Sequence, residues 1–254
     1  MRAIPILPFL LLIALMTASC GAIQALAGAT PRPSVNLART GARHGNLAVG
    51  DSLDGSGQPL RVLFVGASVT EGWFASTKEH TYTELVVKGL SGGRRVRVTV
   101  LARPGITAEG VAQWDLNIPA DVVVVQIATN DFGRDLPVDE YSAAYAMMLD
   151  RLRAASPKAD LICMGAWSDP AQKNHLGVEV ADYDLAAQTQ CEADGGHYVD
   201  ISAAYLNAAN HGPPGRETFI GKSDVFHPND AGHAELARLV LAADGFTEPA
   251  NPTR

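Results

Sequence analysis

Residues 122–127 read Val122-Val-Val-Val-Gln-Ile127. A run this short, β-branched and almost wholly apolar has no polar face to turn to water. It suits a central strand covered on both sides, as in a parallel sheet. Similar runs lie on either side of it, at 62–65, 96–101, 161–164 and 198–201, so five strands are expected. Helical patterns separate them at about 81–90, 107–115, 137–154, 181–193 and 229–243. The clearest is 137–154. Pro137 suits a first helical position, Asp139 and Glu140 fall in the first turn, and Arg151 and Arg153 lie near the end. Val138, Tyr141, Tyr145, Met148, Leu149 and Leu152 form its apolar stripe. Strand alternating with helix implies a three-layer α/β domain whose ligands bind beyond the carboxyl ends of the strands.

The composition fits one such domain. The chain has 254 residues, 47% of them hydrophobic and 19% charged, enough for one sizeable core and too apolar for disorder throughout. The formal charge of −7 repels phosphate backbones, which argues against a nucleic-acid partner. The amino terminus has its own character. Arg2 precedes an unbroken apolar or Pro run from Ala3 to Met16, followed by small residues, which is the pattern of a secretory signal. Three readings compete: cleavage after Ala25-Leu26-Ala27, lipidation of Cys20 in an imperfect lipoprotein box, or an uncleaved anchor attaching the protein to a membrane. Residues 1–27 are therefore read as signal or anchor, 28–60 as a linker or arm, 61–245 as the domain and 246–254 as a tail. Without the signal, two cysteines remain. Cys163 and Cys191 can pair outside the cytosol, or Cys163 can be a buried thiol in its apolar run.

Four segments carry chemistry. Gly66-Ala67-Ser68-Val69-Thr70 follows the first strand and places a serine hydroxyl at the open edge of the sheet, although a lone serine there is more often a helix N-cap. Asp224-Val-Phe-His227-Pro228 precedes the last helix. Serine needs a base to become a nucleophile, imidazole is the usual one, and a carboxylate must hold the ring in its working tautomer. His233 is a rival base, read as lying on the following helix and facing core or solvent. Ala128-Thr-Asn130-Asp131 ends the third strand, where an amide can donate to an oxyanion. Arg103-Pro-Gly105-Ile106 follows the second, where a glycine N–H can do the same. Taken singly, the last two are ordinary turns.

In this order, Ser68 with Thr70, Gly105, Asn130 in T-N-D, and Asp224-x-x-His227-Pro-Asn229 resemble the SGNH (GDSL-type) hydrolases over residues 61–243. The resemblance implies a flavodoxin-like fold, with helices on both faces of a five-stranded parallel sheet. It also implies Ser68 as nucleophile, His227 as base and Asp224 as its orienting partner, with Ser68, Gly105 and Asn130 forming the oxyanion hole. No cofactor and no metal is implied. Three positions depart from the family pattern: Ala67 replaces the Asp of G-D-S, Ala128 replaces the Gly of G-x-N-D, and Arg103-Pro104 replaces a small polar lead-in.

Other serine and phosphate chemistries fit poorly. Thr70 stands where the α/β-hydrolase elbow needs a second glycine, and no G-x-x-x-x-G-K-[ST] loop occurs. The spacing of Asp224, His227 and His233 matches no zinc signature. The expected function is an exported esterase for short acyl groups, with O-acylated envelope glycans as the candidate substrate. The alternatives are an acyltransferase using the same site and a catalytically impaired binding module. Trp73 and Trp167 are the substrate-contact candidates, each with packing at the rim as its alternative.

Overall fold

The structure, a computed structural model, describes residues 57–243. The signal, Cys20, most of the arm and the tail expected from the sequence lie outside the described residues. Among the described residues no helix is long and apolar enough to cross a membrane.

Five strands form one sheet: β1 Leu60–Gly66, β2 Val96–Ala102, β3 Val122–Gln126, β4 Asp160–Met164 and β5 His197–Val199. All pairs are parallel, in the order β2-β1-β3-β4-β5. Eight α-helices accompany them among the described residues: α1 Ser68–Glu71, α2 Tyr82–Ser91, α3 Ala108–Ala112, α4 Thr129–Gly133, α5 Val138–Ala155, α6 Val180–Ala193, α7 Ser202–Leu206 and α8 Asp230–Ala243. The strand period of two explains the unbroken apolar runs. Leu63, Val65, Val123, Val125, Leu161 and Cys163 face a core built with α3, α5 and α6. Their neighbours Val62, Phe64, Val122, Val124, Ile162 and Met164 face a second core with α2, α7 and α8. Strand β2 departs from this pattern. It lies at the sheet edge, and its Val98 and Val100 are exposed.

Local chemistry sets several boundaries. The Thr81 hydroxyl accepts from the Glu84 N–H at the start of α2, and Thr107 from the Gly110 N–H at the start of α3. Pro137 stands one residue before α5, where its carbonyl accepts from the Tyr141 N–H, and not inside the helix as its spacing predicts. Cys163 and Cys191 form a disulfide that ties β4 to α6, which resolves the open choice in favour of pairing. The chain runs from β1 to β2 on one side and returns to β3 on the other. The switch point between β1 and β3 is therefore the crevice where such sheets bind ligands. In register, Gly66 of β1 lies beside Gln126 of β3, so the segments after both strands emerge together.

Candidate active site

The β1–α1 turn is held by packing that only glycine permits. A Cβ on Gly66 would lie 2.0 Å from Thr70 Oγ1 and 2.7 Å from the Gln126 carbonyl. Thr70 is buried, with its hydroxyl 2.9 Å from the Tyr82 hydroxyl. Ser68 is thereby fixed as the first residue of α1, and Ala67 at the cap position makes no side-chain cap. The Ser68 hydroxyl is not an N-cap. It meets the His227 ring instead, 2.9 Å from Nε2.

His227 comes from the connection before α8, 159 residues further along the chain. Its Nδ1 lies 2.8 Å from Asp224 Oδ2, while Asp224 Oδ1 accepts the N–H groups of Phe226 and His227, each at 2.8 Å. Partial burial works to raise the Asp224 pKa. The His227 and Phe226 hydrogen bonds outweigh it and hold the carboxyl below its ordinary value. The imidazole is collared by aromatic rings: Trp73 at 5.2 Å, with Phe74 at 5.0 Å and Phe226 at 5.2 Å both nearly perpendicular to it.

His233 lies on α8, fully buried, and is occupied at both nitrogens. The Tyr82 N–H donates to Nδ1 at 3.2 Å, and Nε2 donates to the Trp73 carbonyl at 3.0 Å. Desolvation pushes its pKa down to about 4, so the ring is neutral and structural. It steadies the segment carrying Trp73 and does not compete as a base.

The donor segments converge on the end of β1. The Arg103 N–H donates to the Gly66 carbonyl at 3.3 Å, and the Ile106 N–H closes the turn on the Arg103 carbonyl at 3.2 Å. Gly105 has φ +73°, a left-handed conformation that glycine adopts without strain. Asn130, on α4, donates one amide hydrogen to the Ile106 carbonyl at 3.0 Å, which fixes its side chain against the Gly105 turn and leaves the second hydrogen for another acceptor. Arg134 holds the same turn through the Gly105 carbonyl at 2.7 Å. The unusual Arg103 packs its guanidinium over the Trp114 ring at 5.9 Å.

Two residues beside Asn130 carry strain or a displaced charge. Ala128 has φ +131°, where an L side chain is disfavoured, which explains why this position is glycine in the family pattern. Asp131 is buried, with Oδ1 accepting from the Ala108 N–H at 2.9 Å and Oδ2 without a partner. Burial raises its pKa to about 7.

Of the two readings of Trp167, substrate contact or packing, the structure favours packing: the side chain stands beyond the carboxyl end of β4 but is fully buried and offers no surface for sugar or acyl contact. Its Nε1 donates to the Phe226 carbonyl at 2.8 Å, so it anchors the residue before His227. Trp73 is half-buried against His227, with Nε1 donating to Glu71 at 2.8 Å. Sequence reasoning missed two supports of the same connection. His211 lies with Nδ1 2.9 Å from the Phe226 carbonyl, and the Asn229 amide donates to the carbonyls of His211 and Ala209 at 2.8 and 2.9 Å. Asn229 stands in the His-Pro-Asn signal itself, whereas no local pattern marks His211. Among the described residues no group of three or more His, Cys, Asp or Glu side chains is arranged to hold a metal ion.

A serine hydroxyl, an imidazole and a carboxylate in line, at the switch point of a parallel sheet and beside an amide donor, define a site equipped for nucleophilic acyl transfer. The chain belongs to the GDSL-like lipase/acylhydrolase family, whose sequence model matches residues 64–235, and it is an enzyme acting on ester bonds. Its fold is similar to several solved structures. One is a variant of Axe2, an acetyl-xylooligosaccharide esterase from Geobacillus stearothermophilus: 22% identity, 79% of this chain and 100% of that one covered, TM-score 0.58. Another is a carbohydrate esterase family 2 enzyme with a carbohydrate-binding domain from Corynascus thermopiles (Myceliophthora fergusii): 17% identity, 74% and 67% covered, TM-score 0.55. A third is LAE5, an α/β hydrolase from the metagenome of Lake Arreo: 22% identity, 76% and 99% covered, TM-score 0.54. A search of curated proteins finds no match.

Proposed function

We propose that this protein is an exported serine esterase that removes short acyl groups from glycans, with Ser68 as nucleophile, His227 as general base and Asp224 as its orienting partner. The observation that carries the reading is the continuous hydrogen-bonded line from Ser68 Oγ through the His227 ring to Asp224, with steps of 2.9 and 2.8 Å. His227 takes the Ser68 proton as the hydroxyl attacks the ester carbonyl. The oxyanion is held by the Ser68 and Gly105 N–H groups and the Asn130 amide. His227 then protonates the departing alcohol and activates the water that releases the acid. The first N–H groups of a helix have no intrahelical partner, which supports Ser68 as a donor from the start of α1.

The substrate class draws on several supports. Two of the similar structures are carbohydrate esterases by name, and Axe2 variants described as catalytic mutants replace a serine and an aspartate. Short acyl groups fit a site beside which Trp73 packs against the His227 ring at 5.2 Å. Export is supported by the amino-terminal apolar run and by the Cys163–Cys191 disulfide, since such bonds persist in oxidising compartments.

The test is hydrolysis of p-nitrophenyl acetate, butyrate and octanoate by the wild type and by Ser68→Ala. Turnover that falls with chain length and vanishes in a folded Ser68→Ala protein is the expected result. Wild-type rates in that variant would end the assignment.

A further inference from the structure

The cleft beside His227 contains a charged side chain that the rest of the molecule leaves unused. The cleft, about 280 Å³, is formed where residues 74–76, the segment 212–223 and the start of α8 meet. Its carboxylates are engaged. Asp224 is taken by His227, and Asp230 accepts from the Ser76 N–H and hydroxyl at 2.7 and 2.6 Å and pairs with His80 at 3.1 Å. Glu217 pairs with Lys222 at 3.5 Å. Arg216 lines the same cleft, and its guanidinium has no partner among the described residues. Its backbone is firmly placed, however. The Arg216 N–H donates to Ser223 Oγ at 3.0 Å, its carbonyl accepts from the Ser223 N–H at 2.9 Å, and Glu217 and Lys222 bridge antiparallel beyond it. A short tongue closed by one antiparallel bridge therefore brings to the cleft wall a cation with no partner among the described residues.

The lining includes His227 but not Ser68, Gly105 or Asn130. In acyl transfer the oxyanion faces those three, while the departing alcohol must lie where His227 can protonate it. The cleft is thus on the alcohol side of the ester. We infer that Arg216 binds a carboxylate carried by the alcohol portion of the substrate, so that the enzyme prefers acylated uronic-acid sugars to neutral ones. The planar guanidinium fork matches a carboxylate at two points. This inference rests on the esterase reading above and narrows its substrate class.

The test uses two O-acetylated methyl glycosides that differ only in charge, a glucuronoside and its glucuronamide, with acetate release as the readout. The wild type should favour the acid by roughly five-fold in kcat/KM, mostly through KM, the scale of a solvent-exposed ion pair. High salt should shrink that ratio. In Arg216→Gln it should fall to about one, and Arg216→Lys should restore part of it. The ratio is read within each enzyme, so a general loss of activity does not disturb it, and the salt series on the wild type needs no variant. Equal turnover of acid and amide by the wild type, or a preference that survives Arg216→Gln, would overturn the subsite alone. A wild type inert toward p-nitrophenyl acetate and both glycosides would overturn the esterase reading and the subsite with it.

Discussion

Replacing Asp224 by Asn changes one atom in the carboxylate and reverses what His227 can do. Asp224 Oδ1 accepts two backbone N–H groups, from Phe226 and His227, each at 2.8 Å, so in Asp224→Asn the amide oxygen must stay in that position. The amide nitrogen then takes the place of Oδ2, 2.8 Å from His227 Nδ1. An NH₂ group only donates, so Nδ1 must become the acceptor and the ring proton moves to Nε2. Nε2 lies 2.9 Å from Ser68 Oγ, and once protonated it can no longer accept the serine proton. The wrong tautomer in a triad of this type costs about 10⁴ in kcat, equivalent to about 5.5 kcal/mol at the transition state. Because both backbone hydrogen bonds survive, the thermal midpoint should move little. Measuring kcat and KM for p-nitrophenyl acetate together with a thermal melt decides the matter. A variant that keeps a tenth or more of wild-type kcat would refute the claim that Asp224 sets the tautomer, and a collapsed melt would refute the claim that the two backbone bonds hold the loop.

Three further outcomes are expected. Asp131 holds its proton up to about pH 7 in the fold against about 3.9 in an unfolded chain, so the folded state binds the extra proton and stability falls as pH rises between those values, by about 4 kcal/mol in all. Asp131→Asn should flatten that slope in urea midpoints taken from pH 4.5 to 7.5, and parallel slopes would mean that Asp131 is ionised in the fold. Reducing Cys163–Cys191, whose partners are 28 residues apart, frees the unfolded chain and should cost about 3.5 kcal/mol; a denaturant midpoint unmoved by dithiothreitol counts against this. Ala128→Gly relieves a backbone cost of about 1–3 kcal/mol at φ +131° but adds about 0.7 kcal/mol of chain entropy and loses a buried methyl worth about 0.8 kcal/mol. The net runs from a loss of about 0.5 to a gain of about 1.5 kcal/mol, and a thermal melt showing a loss near the roughly 1.5 kcal/mol expected without any strain relief would show that residue 128 is unstrained.

What the sequence reveals follows physical range. The run 122–127 identifies a two-faced strand because burial on both sides removes any need for polar residues, and α5 is visible because an 18-residue amphipathic helix repeats its stripe several times. Helix α4 is not visible. Five residues make little more than one turn, and Thr129-Asn130-Asp131 reads equally well as a turn. Ser68 and His227 are legible only as members of a known pattern, since nothing local couples positions 159 residues apart. The direction of Trp167 depends on which side of the β4 end the chain leaves, and the tongue carrying Arg216 has no period at all. The pairing of Cys163 with Cys191 likewise needs the approach of α6 to β4, which spacing alone does not supply.

The departure at Ala67 bears on whether the triad geometry can stand without the aspartate usual in G-D-S. Ala67 is buried within the apolar cluster that contains Leu63, Val65 and Ile106, so its side chain packs and does not reach toward His227. What places Ser68 is main chain. The Glu71 N–H donates to the Ala67 carbonyl at 3.0 Å, and the N–H groups of Gly72 and Trp73 both donate to the Ser68 carbonyl at 3.1 Å. Gly72, at φ +101°, turns the chain back so that Trp73 lies against the His227 ring. His233 holds the Trp73 carbonyl from the far side, and Trp167 and His211 hold the Phe226 carbonyl. Ser68 and His227 are therefore each fixed by backbone groups that a substitution at 67 leaves in place. A carboxylate there would have to be buried among apolar side chains at a cost of several kcal/mol, whereas alanine fills the space without one.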